Sequence, residues 1–188
     1  MYVRLLSIVI LLMWLVPHKT FASTREQMIL EYAERLITQL SYILTTQDGR
    51  KIAPFLSYYI NENAQFQKQT QLFIAPQNEE EEPRLLENRT LTMDKNEYID
   101  HLINIASTPQ AYVFNARVEN IVRMDSSRTA VISVNIEEIA LESIKNNQEE
   151  DNKVRVMGNT NCNFLITLAT SSIPIIDGAS CIESLIIQ

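Results

Sequence analysis

Only three glycines, Gly49, Gly158 and Gly178, occur in the 188 residues of this chain. A phosphate loop, a dinucleotide-binding fingerprint and a nucleophile elbow each need glycines at fixed offsets, and none can be written here. Histidine is limited to His18 and His101, and cysteine to Cys162 and Cys181. Neither a zinc finger nor a zinc ribbon fits that set, so no metal site and no cofactor is expected. Cations are also few. Two of the 16 Lys and Arg, Arg4 and Lys19, lie in the first 22 residues, which hold no acid, so Ser23 onward carries 14 against all 23 Asp and Glu. A surface that acidic repels phosphate backbones and anionic lipid heads, which argues against nucleic-acid and peripheral-membrane roles.

What is present is the composition of one globular domain, 46% apolar and 21% charged. The N-terminus reads as an address. Arg4 precedes the apolar run Leu5–Val16, Pro17-His18-Lys19 breaks it, and Thr20-Phe21-Ala22 resembles a small-x-small cleavage site. That order is a secretory signal peptide over residues 1–22, with cleavage expected after Ala22 and export to a periplasmic or extracellular space. A bilayer-spanning helix needs about 20 apolar residues, more than this run supplies. The mature chain, 23–188, is expected as a single domain with no membrane attachment.

Ile29, Tyr32, Ala33, Leu36, Ile37, Leu40, Ile43 and Leu44 fall at helical spacing, predicting a helix over Thr24–Thr46 that Gln47-Asp48-Gly49 stops. Ile52, Phe55, Leu56, Tyr59 and Ile60 predict a shorter second helix, whose start Pro54 restricts. Asn61–Ile74 then alternates, with Asn61, Asn63, Gln65, Gln67, Gln69 and Gln71 on one parity and Ala64, Phe66, Leu72 and Ile74 on the other, the pattern of a one-sided strand. Ala75–Leu91, with Pro76, the acidic run Glu79–Glu82, Pro83 and the sequon Asn88-Arg89-Thr90, is read as a solvated loop. Asp94 and Glu97 form a capping box for a third helix to Ser107. Four alternating segments follow, over 112–123, 130–137, 154–168 and 179–187, with a polar loop at 145–153. Such one-sided strands need a cover, and three helices with apolar stripes can supply it. The fold class is α+β, three helices packed on one face of a curved antiparallel sheet.

This element order resembles the nuclear-transport-factor-2-like superfamily, the α+β cone also found in SnoaL-like proteins. The resemblance is carried by the opening helix Glu26–Ala33, Asp48-Gly49, the helix Met93–Ile99, and the closing strands with Val156–Cys162 and Ile175–Cys181. Those closing strands look like an exported branch in which each carries one Cys. The resemblance implies a pocket between sheet and helices, and homodimerisation through the sheet. Some families of this fold are isomerases, cyclases or dehydratases; many others bind or assemble without catalysis. No signature of the catalytic branches matches here residue by residue, so the carry-over stops at the fold.

Catalytic candidates are accordingly thin. His101 falls opposite Tyr98, Leu102 and Ile105, beside Glu97 and Asn104, and is expected at the surface. Asp177 and Glu183 share the parity of Leu185 and Ile187. Facing inward, either acid would be buried with a raised pKa, and Tyr58, Tyr59, Tyr98 or Tyr112 would be its partner. A bulge near Asp177-Gly178 is expected to turn both acids outward instead. Cys162 and Cys181 are expected to pair. A turn centred on Ser171-Ser172 sets them directly opposite on consecutive strands. A competing turn at Asp177-Gly178 would set Cys181 against Pro174, and two free thiols are the remaining alternative.

The functional expectation is an exported, non-catalytic binding or assembly module that holds a protein or a small apolar ligand. Its alternatives are a small isomerase- or dehydratase-type enzyme using Asp177 or Glu183, and an anchored subunit of an envelope secretion machine.

Overall fold

The computed structural model describes residues 24–76, 78, 81–107, 111–145, 151–169 and 173–188. The expected signal peptide, the cleavage point before Ser23, Glu79-Glu80, most of the expected 145–153 loop and the expected turn centre Ser171-Ser172 lie outside them. Helix α1 is Thr24–Thr45, α2 is Gly49–Tyr59 and α3 is Lys95–Ser107. The strands are β1 (Ile60–Ile74), β2 (Arg84–Met93), β3 (Ala111–Met124), β4 (Thr129–Lys145), β5 (Asp151–Leu168) and β6 (Pro174–Ile187).

On α1, Ile29, Ala33, Leu36, Ile37, Leu40 and Leu44 are buried, and Tyr32 and Ile43 flank them. Gln47 ends it in the left-handed region, φ 57°, donating to the Leu44 carbonyl at 3.1 Å. Gly49 therefore opens the next helix rather than closing this one. Asp48 caps α2 by accepting from the Arg50 amide at 3.1 Å. Pro54 does not set the start of α2: it lies inside the helix, on the exposed side where its missing N–H leaves a carbonyl to water. The capping box of α3 forms in full. The Glu97 amide donates to Asp94 and the Asp94 amide to Glu97, each at 2.9 Å.

Among the described residues the sheet has six strands in the order β2-β1-β6-β5-β4-β3. Strands β3 to β6 form the expected antiparallel meander, but β6 returns beside β1 in parallel, so the sheet is mixed. The larger difference is β2. The segment read as loop through Leu91 pairs with β1 from Arg84 to Met93. It is an edge strand exposed on both faces up to Thr90, so no buried parity marks it.

Bulges in β3 and β6 reset which parity faces the core. In β3, register shifts after Val118 and Ile121 turn Val122 out to 56% exposure and bring Ile121 against the core. In β6, Leu165 pairs with Gly178 and Ile166 with Ile176, leaving Asp177 over. Before that residue Pro174 and Ile176 face the core; after it Cys181 and Glu183 do. Gly178 is required there, because a Cβ would lie 2.6 Å from the Gln65 carbonyl oxygen on the parallel neighbour.

The opposite sheet face bears one apolar row in register across all six strands: Val113, Ile139, Met157, Ile186, Phe73 and Leu85. Beside it, Gln67, Gln69, Gln71, Ser180, Ser184, Asn159, Asn161 and Asn163 surround the exposed Ile182 and leave the middle of that face, over β1, β6 and β5, without charge.

Candidate functional site

The inward faces of β4, β5 and β6 change character along their length. Toward one end they carry Ile132, Val134, Phe164 and Ile166, all fully buried against α1 and its neighbours. Toward the other, the same parity brings in Glu138 and Ala140 from β4, Val156 and Gly158 from β5, and Glu183 and Leu185 from β6. With Lys68 and Thr70 of β1 and His101 and Ile105 of α3, they line an outer cavity of about 310 Å³. Gly158 keeps its floor open: a Cβ there would lie 2.9 Å from the Leu185 side chain and 3.4 Å from that of Glu138. A deeper cavity of about 30 Å³ adjoins it, ringed by Phe66, Tyr98, Phe114 and Phe164. Lys68, His101 and Glu138 line both cavities and so form the neck between them.

The neck is built on one ion pair. Lys68 Nζ lies 2.6 Å from Glu183 Oε1, with both side chains largely buried. Thr70 donates to the other Glu183 oxygen at 2.8 Å, so both carboxylate oxygens have partners. Lys68 Nζ is also 3.2 Å from His101 Nε2. An ammonium has only protons to give, so Nε2 accepts and the ring proton sits on Nδ1. Burial and the Lys68 charge push the His101 pKa down to about 4, leaving the ring neutral near pH 7.

Glu138 is placed differently. Burial raises its pKa, opposed by Lys68 and reinforced by Glu183. The Tyr112 hydroxyl donates to it at 3.3 Å. Burial and the Glu138 charge push the hydroxyls of Tyr98 and Tyr112 up, so both keep their protons. The Tyr98 ring stacks on Phe66 at 3.8 Å between centroids. Thr160, 4% exposed, lines the deep cavity, and its buried hydroxyl has no hydrogen-bond partner.

Several expected positions move. His101 is not a surface group; it faces the neck, because α3 turns the side bearing residues 98, 101, 102 and 105 toward the sheet. The bulge expected at Asp177-Gly178 is present, but it separates the two acids instead of exposing both. Asp177 accepts from the Asn61 side-chain Nδ2 at 2.7 Å near the surface, and Glu183 is buried. Of the four tyrosines, Tyr98 and Tyr112 reach the cavities, while Tyr58 is 59% exposed and Tyr59 packs against Phe55.

Cys162 and Cys181 are directly paired, with Cα atoms 4.1 Å apart and the sulfurs joined. Arg155 and Gln188 exchange both backbone hydrogen bonds, so even-numbered residues of β5 over this stretch form the non-hydrogen-bonded pairs. Cys162 is one of these, where side chains stand closest. The alternative register through an Asp177-Gly178 hairpin is not adopted; Pro174 opens β6 opposite Leu168.

Comparison with known proteins adds to the fold. No family model matches the chain, and no curated protein matches it in sequence. Solved structures do match in shape. A scytalone dehydratase candidate from Novosphingobium aromaticivorans aligns with a TM-score of 0.50 at 12% identity, over 85% of this chain and 87% of that one. A conserved protein from Planctomyces limnophilus gives 0.52 at 11% identity, over 82% and 96%. A nuclear-transport-factor-2-like protein of unknown function from Silicibacter pomeroyi gives 0.45 at 9% identity, over 85% and 98%. The chain has the α+β cone fold of nuclear-transport-factor-2-like proteins. At these identities the likeness concerns the fold and assigns no activity.

Proposed function

We propose that this protein is an exported, non-catalytic binding module that holds a small, largely apolar molecule in the open end of its cone. One observation carries the reading. The outer cavity has the volume of a small ligand site, yet most polar groups at its neck already satisfy one another. Glu183 has no free oxygen and the His101 Nε2 is occupied, so neither stands ready as a base. Export is supported by the leader-like first 22 residues and by the paired cysteines. Native mass spectrometry of the protein isolated from its own compartment tests the reading. A non-covalent small-molecule adduct is expected, and Gly158→Val, which pushes Leu185 into the cavity, should lose it. No adduct, together with an unchanged melting temperature across a panel of small hydrophobes, overturns it.

A pocket enzyme is the second reading, and Glu138 favours it, since a carboxyl with a raised pKa beside two protonated tyrosines suits proton transfer. It would run through Glu138, with Asp177 at the surface and Glu183 fully paired.

The outer sheet face is the surface we propose for a homodimer. Its support is the apolar row across six strands beside an uncharged centre, since charge depletion marks interface cores. Sedimentation equilibrium of wild type against Ile139→Asp checks it; two monomers would refute it.

A further inference from the structure

The carboxyls facing the neck outnumber its cations. Among the described residues, Glu183 and Glu138 bring two carboxyls inward, and Lys68 is the one largely buried cation beside them. Lys68 is committed to Glu183 at 2.6 Å, and His101 is neutral near pH 7. Arg89 lines the rim of the outer cavity, but it is exposed and sits 3.8 Å from Glu87. Among the described residues, the hydrogen-bond donor to Glu138 is the neutral Tyr112 hydroxyl. The buried, unpartnered Thr160 hydroxyl lines the same deep cavity, which has room for one water-sized group and is walled by four aromatic rings.

From these observations we propose that the ligand of the cone is a small organic amine. Its ammonium sits at the inner side of the neck, between Glu138 and the Thr160 hydroxyl of the deep cavity, and its apolar body fills the outer cavity. The class rests on the reading that the cavity binds small molecules and narrows it. An ammonium is water-sized, has three protons to give, and finds two acceptors in a cavity walled by aromatic rings. A carboxylate ligand would bring a third acid to a neck already one cation short. A neutral alcohol would leave that imbalance in place.

Three probes sharing one ring separate the possibilities: cyclohexylmethylamine, cyclohexylmethanol and cyclohexanecarboxylate. Titration calorimetry on the purified protein at pH 7.5 is expected to show the amine binding at least about tenfold tighter than either other probe, the scale of a charge-assisted hydrogen bond. Ionised Glu138 is the binding form, so amine affinity should rise with pH through the titration of Glu138, with protons released on binding. Glu138→Gln should abolish the preference. Thr160→Val, a near-isosteric change that removes an unsatisfied hydroxyl, should fold at least as well as wild type and weaken the amine severalfold. Equal binding of all three probes, or preference for the alcohol or the carboxylate, overturns the amine assignment and leaves the binding reading standing. No binding of any probe overturns both.

Discussion

The two ends of the cone use the same strands for opposite purposes. At the closed end, inward positions are apolar, Ile132, Val134, Phe164 and Ile166 among them, and stability comes from apolar area removed from water. At the open end, a few residues further along, the inward positions are Glu138, Gly158 and Glu183, and the interior holds charge and empty space. The boundary is the row containing Cys162 and Cys181, where the two strands are covalently joined. One sheet thus builds a core and a pocket by changing side chains at constant parity, with the disulfide between them.

Substitutions at the two ends should therefore fail in different ways. The largest effect belongs to the closed end. Phe164→Ala should cost about 4 kcal/mol by lost transfer energy and a residual void, read by urea denaturation, and no second change nearby should restore it. At the open end, Lys68→Met leaves Glu183 buried without its cation and should cost about 3 kcal/mol. Adding Glu183→Leu should recover most of that loss, because the pair contributes little beyond cancelling its own desolvation. A Lys68→Met variant that no partner change rescues would contradict the contrast.

At the boundary, replacing both cysteines by Ser should cost about 3 kcal/mol on the chain-entropy account of a loop this long. Non-reducing peptide mapping of the native protein should return the Cys162–Cys181 pair; two alkylated thiols would refute it. The smallest effect is a pH dependence confined to the open end. The His101 pKa is lowered from 6.5 to about 4, so the unfolded chain binds the extra proton first, and this contribution to stability is lost as pH falls through that window. Glu138, with its raised pKa, acts in the opposite sense. The comparison is therefore wild type against His101→Gln, whose melting temperature should fall less between pH 6.5 and 4.

The closed end was legible in the sequence because burial imposes period, and period survives translation into residues. The helices and the meander followed from it, while the capping box was read from Asp94 and Glu97 and the cysteine pairing from a turn centred on Ser171-Ser172. The open end was written in the same code as interruptions. Lys68 and Thr70 break the dry parity of β1, Glu138 extends that of β4, and Thr160 lies within that of β5. Each looks like ordinary strand polarity until register places them around one neck. Glu183 was legible only as a contingent position, since its orientation depended on whether one residue upstream was paired or skipped. His101 was misjudged for a related reason: a helix's apolar arc gives its buried centre, while the edge of that arc is set by what it packs against. The edge strand β2 had no dry face to reveal it.

That skipped residue gives the sheet something like a reading frame. Asp177 is the single insertion that sets the phase of everything after it in β6. Removing it would advance the last ten residues by one position relative to β5 and β1. Ile182 and Ser184 would then point into the cone, while Cys181 and Glu183 would point to the outer face, away from Cys162 and Lys68. One half-buried acid outside the pocket lining thus determines, by its mere presence, which set of side chains the pocket is made from.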